Sequence, residues 1–171
     1  RVLREYYLLS KPGIVRGNAI VAVAGFLFAS NGNIDLWLLI AMFVGSSLIM
    51  ASACVFNNYL DKGIDAKMNR TKKRALVSGS IKDRDALIYA SIIGGIGFGV
   101  LLGYTNTLTA LVGLVGFVDY IALYGYTKRT TVHSTLVGTI AGATPPVAGY
   151  TAVTGSLDTQ ALLLFLVLVF W

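Results

Sequence analysis

Four oxygen-bearing side chains recur at helical spacing near the middle of the chain: Asn57, Asn58, Asp61 and Asp65, within Asn57-Asn58-Tyr59-Leu60-Asp61-Lys62-Gly63-Ile64-Asp65. At about 100° per residue, Asn57, Asp61, Asp65 and Asn58 fall at about 0°, 40°, 80° and 100° around a helix, so all four share one face. Asp61 and Asp65 stand one turn apart, about 6 Å along the axis. Such a pair suits a hard cation such as Mg²⁺, which takes few carboxylates and fills its shell with water and phosphate oxygens. Asp61, Asp65 and Asn58 are the candidate metal ligands, and Asn57 completes the candidate catalytic face. A basic stretch from Lys67 to Arg74 follows. Its Arg70, Lys73 and Arg74 are natural partners for a diphosphate. The plain alternative is a solvated helix end. It weighs less because the acids close a membrane-length apolar run, where charges are costly and seldom idle.

The elements that position these residues must be membrane helices. The chain has 171 residues, 56% hydrophobic and 13% charged, with a mean hydropathy of +0.72. Its 19 glycines against 3 prolines suit closely packed membrane helices. The single cysteine, Cys54, excludes an internal disulfide framework. A net charge of +6 would suggest nucleic acid in a soluble protein. Here the basic residues cluster between apolar spans, so membrane topology explains them better and no nucleic-acid partner is expected.

The pattern predicts an all-α, polytopic transmembrane bundle forming one domain over residues 1–171. Complete spans are expected at Gly13–Ser30, Leu36–Phe56, Ala86–Tyr104, Leu108–Tyr126 and Ser134–Val153, each near the ~20 residues that cross a bilayer. A sixth begins near Gln160. Polar turns separate several spans: Asn31-Gly32-Asn33, Thr105-Asn106-Thr107 and Thr154-Gly155-Ser156. No cleavable signal pattern precedes the first span. Arg1, Arg4, Lys11 and Arg16 precede or open it, and eight cations from Lys62 to Arg84 fill the connection after the second. Lys128 and Arg129 follow the fourth, and the alternate connections carry none. This alternation places the N-terminus and the long basic loop in the cytoplasm, where diphosphates and Mg²⁺ are available. The run Ala161–Trp171 covers about 15 Å as a helix, half a bilayer core, so further spans are expected beyond it.

Other residues carry weaker signals. Asn18, about one turn inside the first span, is expected to face a cavity or to hydrogen-bond between helices. Asp119 lies well inside the fourth span and is a functional candidate by position, or one half of a local pair. His133, the only histidine, reads as a solvated loop residue ahead of a haem ligand. Cys54 reads as a small packing residue on the motif face. Pro145-Pro146 removes two backbone donors, so a kink or break is expected in the fifth span.

The chain resembles the UbiA-type intramembrane prenyltransferases, and within them the branch that farnesylates heme. The resemblance rests on Lys11-Pro12-Gly13-Ile14, on Val55-Phe56-Asn57-Asn58-Tyr59-Leu60-Asp61 through Asp65, on Met68-Asn69-Arg70-Thr71-Lys72-Lys73-Arg74, and on Gly142-Ala143-Thr144-Pro145-Pro146-Val147-Ala148-Gly149. It covers nearly the whole chain. Asn58, where other branches more often carry Asp, and the Pro-Pro span point to the heme branch. Ala75 departs from it, since many relatives carry Pro there. Tyr124, Lys128 and Arg129 resemble a Tyr-x-x-x-Lys-Arg pattern at the cytoplasmic end of the fourth span, with a diphosphate role or positive-inside anchoring as equal readings. A second aspartate-rich motif would lie beyond Trp171.

The resemblance implies an enzyme of the cell inner membrane. Farnesyl diphosphate would bind through Mg²⁺ on Asp61 and Asp65, and heme b would be the acceptor rather than a cofactor. The product would be heme O, with a heme A synthase or terminal oxidase assembly as possible downstream partners. An apolar chamber is needed to keep water from a cationic allylic carbon. Phe26, Phe28, Phe98, Tyr104, Phe117 and Tyr120 are candidates to line it, although packing is the commoner use of any one aromatic. Two alternatives stand beside this one: a quinone- or chlorophyll-type prenyltransferase and, further off, a polytopic transporter. Transporters usually place their site near the midplane on broken helices, whereas this cluster closes a span.

Overall fold

The computed structural model describes residues 2–170, and among these every regular element is a helix. Arg1, counted with the N-terminal cations, and Trp171, the expected end of the last run, lie outside the described residues. The chain begins with a short helix not foreseen from the sequence, α1 (Val2–Leu9), followed by α2 (Pro12–Ser30) and α3 (Leu36–Asp65). A short α4 (Ala75–Ser78) sits in the basic loop before α5 (Asp83–Tyr104). Next come α6 (Thr107–Val118), a π-helical turn at Asp119–Leu123, and α7 (Tyr124–Thr130), which run on without a gap. Helices α8 (Ser134–Thr154) and α9 (Thr159–Phe170) follow.

Local chemistry sets several of these limits. Asp35 caps α3 by accepting the Leu38 N–H at 3.0 Å, and Asn106 caps α6 by accepting that of Thr109 at 2.8 Å. Asn31 closes α2 in the left-handed conformation that asparagine tolerates. Pro12 bars Lys11 from right-handed helix, so α1 stops and the chain turns through a left-handed Lys11 (φ 51°).

Among the described residues four helical stretches are long and apolar enough to cross a membrane: Pro12–Ser30, Leu36–Asp65, Asp83–Tyr104 and Thr107–Thr130. The fifth expected span exists as α8, but α8 does not qualify by composition. The reason is its position: the stretch from Ala143 to Ala152 is continuously buried against other helices. A helix that faces protein rather than lipid has no need of uniformly apolar side chains. Helix α9 is a shorter apolar helix of 12 residues.

Two close crossings organise the bundle. Helices α2 and α8 meet at Gly25 and Gly149, where backbone approaches backbone. A Cβ on Gly25 would lie 2.0 Å from the Pro146 carbonyl oxygen, and one on Gly149 would lie 1.9 Å from that of Ala22. Helices α3 and α5 meet through Gly45 and Gly97, and Ser52 donates across them to the Ala90 carbonyl at 2.7 Å. Small residues permit such approach, which is how membrane helices gain dispersion energy without a hydrophobic driving force between them.

The break expected at Pro145-Pro146 does not occur, and α8 continues through both prolines. Pro145 cannot donate to the Ala141 carbonyl, but the Thr144 hydroxyl does so instead at 2.9 Å. Asp119, from the π-helical turn, accepts the Ala141 N–H at 3.0 Å. The Thr144 side chain thus satisfies the carbonyl that Pro145 leaves without its N–H donor, as membrane helices require.

Candidate functional site

Helix α3 is 30 residues long, about 45 Å at helical rise against a hydrocarbon core of about 30 Å. Its last two turns, from Asn57 to Asp65, therefore extend past the apolar run while remaining helical. That continuity keeps Asn57, Asn58, Asp61 and Asp65 on one side, as the spacing predicted. Asn57, Asn58 and Asp65 are buried, and Asp61 is half-buried.

Each acid of the face holds a basic side chain from a different element. Asp61 pairs with Lys128 and, at 3.0 Å, with Arg129, both from α7. Arg129 also donates to the Leu60 carbonyl at 2.7 Å. Asp65 pairs with Arg74 from the basic loop, and the same Arg74 nitrogen donates to Asn58 Oδ1 at 3.1 Å. The Thr71 hydroxyl donates to the Asp65 carbonyl at 2.9 Å and ties that loop to the end of α3. Asn58 Nδ2 in turn donates to the Leu9 carbonyl at 2.7 Å, fixing α1 against the site.

Lys11 completes the cluster, although its type and spacing did not single it out. Its Nζ donates to Asn57 Oδ1 at 3.1 Å. The available signal was the lysine before Pro12 at the basic end of a span. Burial lowers the Lys11 ammonium below the ordinary lysine value; Arg74 and Lys128 push the same way, while Cys54 and Asp61 oppose.

An apolar cavity of about 180 Å³ lies alongside. Asn18, Cys54, Phe117 and Tyr120 are among its walls, with Thr144 and Pro145 from α8. Asn18 faces this cavity while its amide donates to Ile14 of its own helix at 3.0 Å. Tyr120 stacks on Tyr124 at 5.8 Å, and Lys128 Nζ lies 5.4 Å from the Tyr124 ring centre. The π-helical turn gives this side of α6–α7 an extra residue, a device that recurs at functional sites. Of the six aromatics expected to line a chamber, only Phe117 and Tyr120 do so. Phe26 is sealed in the core between helices, Phe98 packs on Phe117, and Phe28 and Tyr104 are exposed. Periodicity could not separate these roles, because each depends on which helix lies opposite.

The remaining candidates separate. Asp119 is buried, and its partner is the Ala141 N–H described above. His133 is exposed at the start of α8. Arg70 and Lys73 are exposed and stand outside the ion-pair cluster. They line a second cavity of about 760 Å³ between α1 and the basic loop, which shares Lys11, Asn58 and Arg74 with the cluster.

The donor set fits Mg²⁺ and a diphosphate together. Asp65 Oδ2 and Asn58 Oδ1 converge on one guanidinium nitrogen, and both oxygens of Asp61 hold cationic groups. Arg74, Lys128 and Arg129 thus stand where a cation would sit. Asn57 Nδ2 is a buried donor without a partner among the described residues, available to a phosphate oxygen. No cluster of three or more His, Cys, Asp or Glu is assembled among the described residues. A metal here would depend on ligand oxygens, as Mg²⁺ commonly does.

Carboxylates and cations interleave beside an apolar cavity, at one end of the membrane-length helices of a membrane protein. Residues 18–171 match the model of the UbiA prenyltransferase family, and the chain belongs to that family. It is 46% identical to a protoheme IX farnesyltransferase of Acinetobacter baumannii over 99% of this chain and 59% of the relative. It is 48% identical to that of Photorhabdus laumondii over 99% of this chain and 58% of the relative. The chain therefore spans under two thirds of the length of these curated relatives. Among solved structures it is similar to a digeranylgeranylglyceryl phosphate synthase, with a TM-score of 0.86 at 22% identity over 98% of this chain and 58% of the other. A UbiA homologue from Archaeoglobus fulgidus, solved with GPP and Mg²⁺, gives a TM-score of 0.81 at 18% identity over 96% of this chain and 60% of the other.

Proposed function

We propose that this chain supplies the diphosphate-binding part of a site that transfers a farnesyl group from farnesyl diphosphate to a vinyl group of heme b, giving heme O. The carrying observation is the face Asn57, Asn58, Asp61 and Asp65 meeting Lys11, Arg74, Lys128 and Arg129 beside an apolar cavity. The choice of donor and acceptor rests on the protoheme IX farnesyltransferases named above.

In this reading Asp61 and Asp65, with Asn58, are the residues that would hold Mg²⁺. The metal would neutralise charge on the leaving group. Arg74, Lys128 and Arg129, paired with the carboxylates, are the cations that would engage the phosphate oxygens. Lys11 and the Asn57 amide add donors at positions already fixed by α2 and α3. Charge stabilisation is worth most where donors are prearranged and water is scarce. The C1–O bond to diphosphate breaks, and the terminal vinyl carbon of heme bonds to farnesyl C1. Water then gives its hydroxyl to the adjacent vinyl carbon and its proton to solvent. The walls at Phe117 and Tyr120 hold the prenyl chain and keep water from C1 until the carbon–carbon bond has formed.

The test is product analysis by mass spectrometry on the full-length protein with farnesyl diphosphate, Mg²⁺ and heme b, with an aromatic acid offered in parallel. A hydroxyethylfarnesyl heme is expected. Prenylation of the aromatic acid alone would replace this reading with the quinone-type one.

A further inference from the structure

We propose that the larger cavity, between α1 and the basic loop, binds the carboxylates of the acceptor substrate; this rests on heme b, or a like dicarboxylate macrocycle, being the acceptor. The argument begins with a surplus of charge. The Asp61–Asp65 cluster already engages four basic side chains: Lys11, Arg74, Lys128 and Arg129. Four more, Arg4, Arg70, Lys72 and Lys73, line the second cavity, together with one acid, Glu5. Among the described residues none of these four enters an ion pair. Topology alone requires positive charge near the membrane, but it does not require four cations to converge on one cavity of about 760 Å³.

The other walls fit an amphiphile. Leu8 and Leu9 of α1 and Ala75 add apolar surface to the basic lining of the cavity. A prenyl diphosphate would put its apolar part in the neighbouring cavity at Phe117 and Tyr120 and has no use for this one. A macrocycle with two propionates matches both features, since forked guanidinium groups take carboxylates in pairs of hydrogen bonds.

The position also suits the reaction. Lys11, Asn58 and Arg74 form a common wall of the cavity and the carboxylate cluster. An acceptor anchored by its acids at Arg70 and Lys73 lies against the wall behind which the diphosphate is held. Arg70 and Lys73, which sequence spacing offered to the diphosphate, are in this view determinants of acceptor choice.

The experiment uses full-length protein in nanodiscs, with heme b and its dimethyl ester as probes and Arg70→Gln and Lys73→Gln as variants. The wild type should bind heme b roughly tenfold or more tightly than the ester, the usual effect of a lost charge-assisted hydrogen bond. Each variant should lose most of that preference, leave ester affinity unchanged, and leave the KM for farnesyl diphosphate unchanged. Equal wild-type affinity for acid and ester overturns the proposal, as does a rise in diphosphate KM without loss of heme binding. Repeating the titration in nanodiscs of neutral lipid separates a lipid headgroup role. If the effect of the variants vanishes there, the residues serve anionic lipid and the proposal fails. Heme O formation by the wild type is scored alongside. Product with no ester discrimination rejects this inference alone, whereas absence of any heme product rejects the acceptor reading and this inference with it.

Discussion

At the scale of residues, the site is a set of exchangeable charges. Asp61 and Asp65 each hold basic side chains that a metal–diphosphate pair would displace. Asp61→Ala or Asp65→Ala in the full-length enzyme is expected to abolish heme O formation, because the remaining ligands cannot neutralise the diphosphate. Near-normal turnover in both, at unchanged expression, would remove them from the site. Arg74 touches both Asp65 and Asn58 through one nitrogen. Arg74→Lys keeps the charge but removes the planar set of guanidinium donors that a diphosphate would use, so farnesyl diphosphate KM should rise, whereas a pure topology role leaves it unmoved. Lys11 adds a pH signature. Its ammonium is lowered by burial, and the groups facing it are Cys54 and Asp61 of α3, Arg74 of the loop and Lys128 of α7. It is charged below its lowered pKa and neutral above, so its hold on an anion is lost at a lower pH than for an ordinary lysine. The cost of burying its charge is present below that pKa and is relieved as pH rises through it. Lys11→Arg should shift the alkaline limb of diphosphate affinity upward, and an unchanged profile would show that Lys11 is not the group titrating.

At the scale of elements, the tight crossing of α2 and α8 is the feature most open to a single substitution. Gly25→Ala or Gly149→Ala would press a methyl group into a backbone carbonyl, 2.0 or 1.9 Å away before relaxation. Overpacking of this kind costs about 1–3 kcal/mol, read as a lower melting temperature of the purified protein. Gly17→Ala, on the same helix with nothing within 4 Å, serves as the control and should be neutral or better. Thr144→Val strands the Ala141 carbonyl beside Pro145 and should cost about 1–3 kcal/mol by the same measurement. The spans were legible because apolar runs of membrane length end at Asn31, Asn106 and Gly155, residues whose turn chemistry is local. The shared face of Asn57, Asn58, Asp61 and Asp65 was legible because helical period is local too. The unbroken α8 was not. Its Ala141 carbonyl is served by the Thr144 hydroxyl, and its Ala141 N–H meets Asp119 from 22 residues away. Lys11 escaped for the same reason, since its partner Asn57 lies 46 residues away.

At the scale of the whole molecule, the basic ends of four helical stretches converge. The start of α2 brings Lys11, the end of α3 brings Asp61 and Asp65, the start of α5 brings Asp83 to Lys62, and the end of α7 brings Lys128 and Arg129. The opposite end carries Asn31 to Asn33, Asn106 and the turn after α8, where Asn106 donates to the Thr151 carbonyl at 2.8 Å. One face of the bundle is thus rich in cations and the other nearly without them, the asymmetry that orients helices during insertion. On this rule the proposed site would open to the cytoplasm, where a soluble diphosphate would reach it. Cys54 is the sole cysteine and is buried, so a Cys54→Ala background permits single reporters. Ser78 and Ser156 are exposed at the two ends. A membrane-impermeant maleimide added to intact cells with a permeabilised outer layer should label Ser156→Cys and spare Ser78→Cys. Labelling of both should follow once the inner membrane is opened. Protection of Ser156→Cys with labelling of Ser78→Cys would turn the site outward, away from the cytoplasmic diphosphate pool, and the farnesyl donor would have to be abandoned.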